Sequence, residues 1–559
     1  MKLTFFLFLA IMLQFIAQAQ TSAQKLYLVN FRDKGNQKSH LEVPTQILSS
    51  QAVNRRMKFN ISLDQSDLPV NEQYVRQVSN NSTRVLCRSR WFNNVLIETD
   101  QSSAKQIQSL PFVTEIKEVN NQFKSGTSLV ATQSAGLLQN PGLRHTSGTK
   151  SSNADVFDYG LAGNQIHMLK GEFLHNHGYA GQGMTIAVID AGFGLADTMA
   201  VFDSLRINNQ IKGTFNFAQP GQSVYDPSTS FHGTEVLSTM AANMSGVMIG
   251  TAPKANYWLF RTEVAATEYI IEEYYWVSAA EYADSVGADI INSSLGYTVF
   301  MDPTTSHTYA DMDGNTTYVT IGADKAAEKG ILVVNSAGND GSDDWKYIGA
   351  PADGDSVFTI GAVDGSGVYA YFSSKGPTYD GRIKPTIAAM GYNATVFTPY
   401  GVSFASGTSF SSPIIAGMSA CLWQAAPALN NMQIIEALKT TASQANDPDT
   451  LMGWGIPDYS AAYGVLGFND NEESSAQELK VYPNPFSDQL YIELASAIPG
   501  KAALQLFDLT GRQVMIRSYS QDPPLKFIHL ELGNNIPEGV YLLRISTNDA
   551  VYSSRIIRR

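Results

Sequence analysis

A serine stands at the start of a predicted helix in the segment GTSFSSP, residues 407–413. Apolar residues recur at three- or four-residue spacing from Phe410 to Cys421, and this spacing predicts the helix. A serine in such a place commonly caps the helix with its hydroxyl group. The place also suits a nucleophile, because the free N–H groups and positive dipole of a helix N-terminus stabilise a developing oxyanion. Ser409 can act in this way only if a base reaches its hydroxyl group.

A histidine is the base that such a serine needs, and the chain has eight. His232 stands out because it begins a second predicted helix, in FHGTEVLSTMAANM. Asp190 closes the predicted strand MTIAVID, where its carboxylate could orient an imidazole and balance its charge. Taken singly, His232 is also explained as a polar residue at a helix start, and Asp190 as an ordinary turn residue. Together, Asp190, His232 and Ser409 predict an acid, a base and a nucleophile in that chain order.

The elements that must position these residues lie between about residues 155 and 465. Short apolar runs such as MTIAVID, ADIINSSLG, GILVVNSAGND and SVFTIGAVD alternate there with helical patterns. This alternation predicts an α/β domain with a parallel sheet covered by helices on both faces. Ligands of such sheets bind beyond the carboxyl ends of the strands. The predicted strand ends are where Asp190, Ser294 and Asn339 gather.

VIDAGFG, HGT and GTSFSSP resemble, in order, the three signature segments of subtilisin-like serine proteases (the subtilase, or peptidase S8, family). NSAGNDG resembles the oxyanion segment of the same family. The resemblance implies that Ser409 is the nucleophile, that His232 is the base and that Asp190 orients it. It also implies that the Asn339 side chain and the Ser409 N–H hold the oxyanion. The family implies a secreted endopeptidase that acts through an acyl-enzyme intermediate and needs no cofactor for its chemistry.

Two further segments resemble the parts of subtilisin-like proteases that bind substrate. Ser294, Leu295 and Gly296 resemble the extended backbone that pairs with the substrate. Ser336, Ala337 and Gly338 resemble the opposite wall of the pocket for the residue before the cut. The glycines leave that pocket open, so we expect a preference for a sizeable apolar side chain.

Three residues depart from the usual pattern of the family. Ala191 follows the predicted catalytic aspartate where Ser or Thr is usual, so a hydroxyl partner of the carboxylate is missing. Phe410 follows the nucleophile where Met is usual, and Glu235 follows HGT where His is common. None of these changes removes a catalytic group.

The segments on either side of this domain resemble domains that accompany exported proteases. Residues 25 to about 120 predict a small α+β domain, and SRWFNNVLIETD resembles inhibitory propeptides of related bacterial proteases. A permanent accessory domain is the alternative. The last segment predicts a small all-β, sandwich-like domain. Its motifs VYPNPF, LFDLTGRQV and PEGVYLLRI resemble the C-terminal sorting domain of type IX secretion. A β-sandwich that binds carbohydrate or protein is the alternative there.

The predicted organisation has five parts. The start MKLTFFLFLAIMLQFIAQAQ is typical of a secretory signal and is short for a membrane span. We therefore expect a signal peptide at 1–19, a propeptide domain and linker at 20–150, and a peptidase domain at 151–466. A linker at 467–478 and a sorting domain at 479–559 follow. The propeptide cut should fall between about 120 and 155.

Composition narrows the class of partner. The net charge of −13 is spread along 559 residues, which argues against nucleic acid. Cys87 and Cys421 cannot form a disulfide framework, so we expect core burial to stabilise the fold. The expected partners are a protein or peptide substrate, the chain's own propeptide and the type IX secretion machinery. We expect a monomer, located outside the cell or on its surface.

Structural calcium is common in the family, and one segment of the chain has part of the pattern of a calcium loop. Asp311, Asp313 and Asn315 have the spacing with which a calcium loop starts. Thr316 replaces the glycine that such a loop needs, and no glutamate stands at its twelfth position. A solvated loop is the better interpretation, and no metal ligand is predicted.

Two other functions compete with the peptidase. A subtilisin-like domain kept as an inactive surface binding module is the main alternative, although Asp190, His232, Asn339 and Ser409 are all present. A glycoside hydrolase would need two acidic residues at the crevice. The predicted strand ends offer one, Asp190.

Overall fold

The structure is a computed structural model that describes residues 24–37, 39–120, 155–466, 479–508, 513–532, 536–537, 539–547 and 551–559. The chain divides into two compact units, Met1–Leu466 and Gly467–Arg559. The predicted signal peptide, the expected propeptide cut and the linker at 467–478 lie outside the described residues. Among the residues described, no helix combines the length and apolar character that a bilayer span requires.

The first domain is a four-stranded antiparallel sheet with short helices, as the sequence predicts. The sheet order is β2-β3-β1-β4. Its strands are β1 (Lys25–Phe31), β2 (Arg84–Ser89), β3 (Asn94–Thr99) and β4 (Val113–Asn120). Its helices are α1 (Ser39–Glu42), α2 (Ser50–Lys58), α3 (Glu72–Ser79) and α4 (Gln101–Gln108). Polar N-caps start the last three, since the side chains of Ser49, Asn71 and Asp100 accept from backbone N–H groups.

The second domain is built on a seven-stranded parallel sheet. The strand order is β13-β12-β11-β10-β5-β9-β6. These strands are β5 (Thr185–Asp190), β6 (Ile211–Asn216), β9 (Asn256–Arg261), β10 (Ile290–Ser293), β11 (Leu332–Ser336), β12 (Phe358–Val363) and β13 (Ile387–Met390). Two short antiparallel pairs complete the strands: β7 (Asn243–Met244) with β8 (Met248–Ile249), and β14 (Ala394–Thr398) with β15 (Gly401–Ala405).

Helices cover both faces of this sheet. They are α5 (Gly163–His167), α6 (Gly171–Asn176), α7 (Asp203–Ile207), α8 (His232–Ala241), α9 (Ile271–Val286), α10 (Tyr318–Glu328), α11 (Thr408–Ala425), α12 (Asn431–Thr440) and α13 (Tyr459–Val465). Successive side chains of β5 point to opposite faces of the sheet and so pack in different hydrophobic clusters. Ile186 and Val188 pack with α8 and α11, whereas Ala187 and Ile189 pack with α9 and α10. The apolar strand runs therefore mark a doubly covered parallel sheet, which confirms the predicted fold.

The first domain packs on α9 of the second. Leu26, Leu28 and Leu96 of its sheet form one buried cluster with Tyr274 and Tyr275 of the helix. This apolar contact places the first domain on one helical face of the parallel sheet.

The C-terminal unit consists of strands, as predicted. β16 (Leu479–Tyr482), β17 (Gln489–Asp508), β19 (Gly539–Thr547) and β20 (Val551–Arg558) form an antiparallel sheet in that order, and β18 (Gln513–Glu531) also pairs with β17. Its core contains Leu490, Ile492, Leu504 and Ile545.

Candidate active site

Asp190 and His232 meet where a strand ends and a helix begins. Asp190 is the last residue of β5, and His232 is the first residue of α8. Nδ1 of His232 lies 2.8 Å from Oδ1 of Asp190. A Cβ atom on Gly233 would come within 2.5 Å of the Gly192 carbonyl oxygen, so glycine allows this close approach. The predicted acid and base are therefore brought together.

The Asp190 carboxylate is fully buried and only half satisfied. Its Oδ1 accepts from the Ala191 N–H at 2.7 Å as well as facing His232, whereas its Oδ2 has no hydrogen-bond partner among the residues that the structure describes. A buried acceptor without a donor costs free energy. Ala191, one of the three residues at which the sequence departs from the usual pattern, follows this aspartate and brings no hydroxyl group to the carboxylate.

The protonation of His232 is controlled by competing effects. Burial alone would lower its pKa, but the charge and hydrogen bond of Asp190, with a contribution from Glu235, outweigh burial and raise it above the ordinary histidine value. Burial also raises the pKa of Glu235, and the nearby charge of Asp190 acts in the same direction. The charged imidazolium that proton transfer creates is therefore stabilised at this position.

Ser409 is the second residue of α11, which carries a proline inside it. Pro413 has no N–H group, so it cannot donate to the carbonyl four residues earlier, that of Ser409. The Ser294 hydroxyl group donates to this carbonyl instead, at 2.8 Å. The Ser409 hydroxyl group in turn donates to the Ser294 carbonyl at 3.5 Å. The serine at the helix start is thus linked to the end of β10 in both directions.

His232 lies beside the start of α11. Its ring is 6.0 Å, centroid to centroid, from the ring of Phe410, the residue after Ser409. The Ser409 hydroxyl group is directed to Ser294, and no hydrogen bond joins it to His232 in this part of the structure. Catalytic hydrogen bonds are often long or misaligned without substrate. If the two residues act as the sequence predicts, the Ser409 side chain must rotate from the Ser294 carbonyl towards the imidazole.

Asn339 lies three residues beyond the end of β11 and is exposed. Its Oδ1 accepts from the Thr408 N–H at 2.8 Å and lies 3.1 Å from the Thr408 hydroxyl group. Because these donors fix the oxygen, the amide NH₂ group is left to donate elsewhere. An oriented amide beside a helix N-terminus suits the stabilisation of an oxyanion.

The predicted substrate-binding residues differ in their exposure. Ser294 is buried, Leu295 is half-buried and Gly296 is exposed, and the Leu295 carbonyl accepts from Asn335 Nδ2 at 3.0 Å. On the opposite segment, Ser336 and Ala337 are buried while Gly338 is half-buried, with a positive φ of 108°. A Cβ atom on Gly338 would lie 2.7 Å from Ser374 Oγ, so the glycine there permits close packing as well as an open wall.

Three carboxylates that the sequence analysis missed lie together after β9. Ligand oxygens of Glu263, Glu268 and Glu272 lie within 4.8 Å of one another. Glu263 accepts from the Tyr297 hydroxyl group, and Glu272 accepts from the Val264 N–H at 2.9 Å. Burial, with a contribution from the charge of Asp190, raises the pKa of Glu263 to about 7. Burial, with the charges of Glu263 and Glu273, raises the pKa of Glu268 to about 8. These contacts fit carboxyl groups that share protons better than they fit a calcium shell of six to eight oxygens.

The loop at 311–316 is held by its own side chains. Oδ2 of Asp311 accepts from the N–H and hydroxyl groups of Thr308. Asp313 accepts from the Asn315 N–H at 2.8 Å and from the Thr316 hydroxyl group at 2.9 Å. The carboxylates are thus engaged within the loop, in line with its interpretation as a solvated turn.

Comparison with known proteins gives each described domain a family. Residues 181–455 match the Subtilase family, and residues 26–133 match the Peptidase S8 propeptide domain, Bacteroidota. Residues 480–559 match the Secretion system C-terminal sorting domain. Subtilisin of Bacillus pumilus is 31% identical over 282 residues, which are 50% of this chain and 90% of that protein. The chain belongs to the subtilase family.

Other relatives of this subtilase are similar in the same region. Subtilisin E of Bacillus subtilis (strain 168) is 32% identical over 282 residues, which are 50% of this chain and 65% of that protein. Among solved structures, the MycP3 protease from the type VII (ESX-3) secretion system is 22% identical, with a TM-score of 0.42 over 54% of this chain and 87% of that chain. The resemblances to subtilases, their propeptides and sorting domains are confirmed. The boundaries at residues 19, 150, 466 and 478 stay predictions.

Proposed function

We propose that this subtilase is an exported serine endopeptidase made as a zymogen. The observation that carries the proposal is the 2.8 Å contact of His232 Nδ1 with buried Asp190, beside the helix start that bears Ser409. This contact fixes the tautomer in which the other ring nitrogen is free to accept a proton. It also balances the charge that proton transfer creates.

The proposed reaction has two halves. Ser409 Oγ attacks the peptide carbonyl while His232 takes its proton and then passes it to the leaving amine. Water next attacks the acyl-enzyme, with His232 again acting as base and returning the proton to Ser409. Asp190 stays ionised throughout and holds the imidazole. Each half passes through an oxyanion, for which the Asn339 amide and the Ser409 N–H are the proposed donors.

The experiment that tests this proposal is labelling with a serine-directed phosphonate. Wild-type chain should be labelled, and Ser409→Ala should not. Ser411→Ala is the matched control, because Ser411 lies in the same turn and bonds only to its own helix through the Thr408 carbonyl. An unlabelled wild-type protein that is folded and freed of its propeptide would instead favour the inactive binding module.

The proposed substrate is a protein or peptide bound between Ser294–Gly296 and Ser336–Gly338. The half-buried Leu295 and the exposed Gly296 support pairing of a substrate strand with this backbone. The expected preference before the cut is a sizeable apolar side chain. A peptide library in which a basic residue is strictly required there would contradict it.

The two flanking domains support the proposed maturation and export of the protein. The match to S8 propeptides supports the first domain as the intramolecular inhibitor, and the sorting-domain match supports export by the type IX machinery. We propose delivery outside the outer membrane, either released or held at the surface, as a monomer. Deletion of residues 479–559 should leave the protein in the periplasm; normal export of the truncated chain would contradict this role.

The chemistry proposed needs no cofactor, and calcium would act only on stability. Because Glu263, Glu272, Asp311 and Asp313 are already engaged by donors, we expect thermal unfolding to be unchanged by a chelator. A fall in the unfolding temperature on chelation, reversed by added calcium, would reveal a calcium site.

A further inference from the structure

Two adjacent arginines of the first domain are buried against the second. Arg55 and Arg56 lie in the last turn of α2 and are 5% and 2% exposed, although arginine is seldom buried without partners. Arg55 donates to the Asp284 carboxylate at 2.6 Å, to the Lys329 carbonyl at 3.1 Å and to the Ala288 carbonyl. Each of these acceptors belongs to the second domain.

Arg56 also bonds to residues of the second domain. Its guanidinium group lies 2.9 and 3.0 Å from the two Asp284 oxygens and also donates to the Lys329 carbonyl. Asp67 of the first domain holds it at 3.0 Å. A third arginine, Arg90, also reaches Asp284. One buried carboxylate therefore receives three guanidinium groups.

Asp284 is an unusual acceptor because of its position in the fold. It lies in the last turn of α9, where the negative end of the helix dipole disfavours an acidic side chain. In the described part of the chain, the ion-pair partners of its carboxylate are Arg55, Arg56 and Arg90, all from the first domain. The second domain does not supply the cations that this site requires.

Ion pairs of the opposite polarity also cross this contact, with the cation on the second domain and the carboxylates on the first. Lys329 of the second domain lies 3.3 Å from Asp67 and 3.4 Å from Asp64 of the first. Opposite charges thus face each other in both directions across the contact. Such an arrangement favours one partner over others, because a wrong partner leaves a charge unpaired.

This contact lies at the edge of the sheet opposite the candidate active site. The Ala288 and Lys329 carbonyls precede β10 and β11, whereas Ser294 and Asn339 follow those same strands. Because the strands are parallel, their amino ends share one edge and their carboxyl ends share the other. The arginine pair therefore cannot act by covering Ser409.

We propose that Asp284 and the carbonyl groups of Ala288 and Lys329 form a recognition site for a pair of adjacent arginines, remote from the catalytic residues. Its occupant is the chain's own α2, and it keeps the first domain bound after the linker has been cut. The inference rests on the proposed function, in which that domain is the inhibitor. The inference identifies the place at which the inhibitor is anchored, and it identifies pairing of two arginines with a buried carboxylate as the chemistry that recognises it.

The experiment measures release of the first domain without using the enzyme's own activity. The full chain carries Ser409→Ala and a site for an added sequence-specific protease between residues 121 and 154. After cleavage, the dissociation rate of the first domain is measured by dilution and size-exclusion chromatography. The double variant Arg55→Gln/Arg56→Gln and the single variant Asp284→Asn should each release it about thirtyfold faster or more, the size expected when one partner of a buried charge pair is removed.

The matched control is Arg88→Gln. Arg88 is an exposed arginine of the same domain that pairs with Glu72 of that domain at 2.6 Å, so its removal should leave the release rate unchanged. Combining the arginine variants with Asp284→Asn should accelerate release by less than the product of their separate effects, because both remove the contacts of Arg55 and Arg56 with Asp284. Release rates equal to wild type in both variants would overturn the proposal.

A replacement variant and a separate labelling measurement complete the experiment. If the double variant does not accumulate as folded protein, Arg56→Lys replaces it. Lysine keeps the charge but loses the second arm of the guanidinium fork, which donates to the Lys329 carbonyl while the first arm contacts Asp67 and Asp284. Release should therefore still accelerate, and an unchanged rate overturns the proposal. The phosphonate labelling of Ser409 is a separate measurement. A chain whose first domain is held through Asp284, but which still fails to label after that domain has been removed, refutes the proposed function alone.

Discussion

The Ser294 hydroxyl group donates to the carbonyl oxygen of Ser409 at 2.8 Å and takes the place of the helix hydrogen bond that Pro413 cannot make. A proline inside an α-helix ordinarily leaves a carbonyl without its donor. Here that carbonyl belongs to the proposed nucleophile, and the donor comes from the segment proposed to bind substrate. The proline thus ties the position of Ser409 to the end of β10.

We expect Ser294→Ala to lower the free energy of unfolding by about 1–3 kcal/mol, because the buried Ser409 carbonyl loses its donor. Urea unfolding of the Ser409→Ala chain, with and without the change, measures this without self-digestion. Ser366→Ala, at an exposed position, is the control. Equal losses in both variants would show that the contact contributes nothing.

Asn339 accepts from Thr408 through its oxygen and is the proposed oxyanion donor through its amide nitrogen, and a single substitution separates the two. Asn339→Asp keeps an oxygen for the Thr408 N–H but removes the amide donor. We expect kcat to fall about 10²–10³-fold, the size measured for the corresponding donor in subtilisin, with KM and the unfolding temperature nearly unchanged. Asn339→Leu should lose the same activity and also some stability, since Thr408 N–H loses its acceptor. Full activity in Asn339→Asp would exclude this donor.

The pH dependence of kcat/KM should report the protonation of His232. Only the neutral imidazole accepts the serine proton, so activity is lost as pH falls through the His232 pKa and is full above it. Since the pKa of His232 is raised, the midpoint should lie above the ordinary histidine value. Glu235→Gln should move the midpoint to lower pH, because one charge that raises this pKa is removed. A shift to higher pH would contradict the assignment.

Ala191→Ser should supply the donor that Oδ2 of Asp190 lacks. We expect a gain of about 1 kcal/mol in the free energy of unfolding, the usual worth of one satisfied hydrogen bond. Ala265→Ser, at an exposed position, should produce no change. If the two variants unfold alike in denaturant, the carboxylate does not use the added hydroxyl group.

Lys384 should make stability depend on pH. Burial, with a contribution from Arg382, lowers its pKa from 10.5 to about 7. Between these values the unfolded chain binds more protons than the folded chain, so the free energy of unfolding rises with pH, by at most about 1.4 kcal/mol per pH unit. Thermal unfolding of the Ser409→Ala chain from pH 7 to pH 9 should show the rise, and Lys384→Met should flatten it. Exposed Lys105→Met should retain it.

The parallel sheet is predictable from the sequence, and so is the place of Asp190, Ser294 and Asn339 at its strand ends, because both depend on local patterns. Apolar runs that end in Asp190, Ser294 and Asn339 mark strand ends, and in a parallel sheet these ends share an edge. The link between Ser294 and Ser409 was not predictable, since it joins residues 115 positions apart. Pro413 was its only signal, as a helix residue whose missing N–H group must be replaced.

The clusters formed by tertiary contacts were missed for the same reason. Glu263, Glu268 and Glu272 are brought together by a loop and the start of α9, and single acidic residues in such places are common. Asp284 did carry a signal, because an acidic residue in the last turn of a helix is electrostatically disfavoured. Its arginine partners lie more than 190 positions away in the chain, so only the fold identifies them.

Under the proposed maturation, the tyrosines at the contact between the two domains are buried before the first domain is removed and exposed to solvent afterwards. Tyr274 and Tyr275 are each 7% exposed while the first domain covers them. If the proposed maturation removes that domain, the same side chains become solvent-facing, and tyrosine tolerates this better than leucine because its phenol group can be hydrated. A surface that is buried before maturation therefore still offers hydrogen-bonding groups to water afterwards.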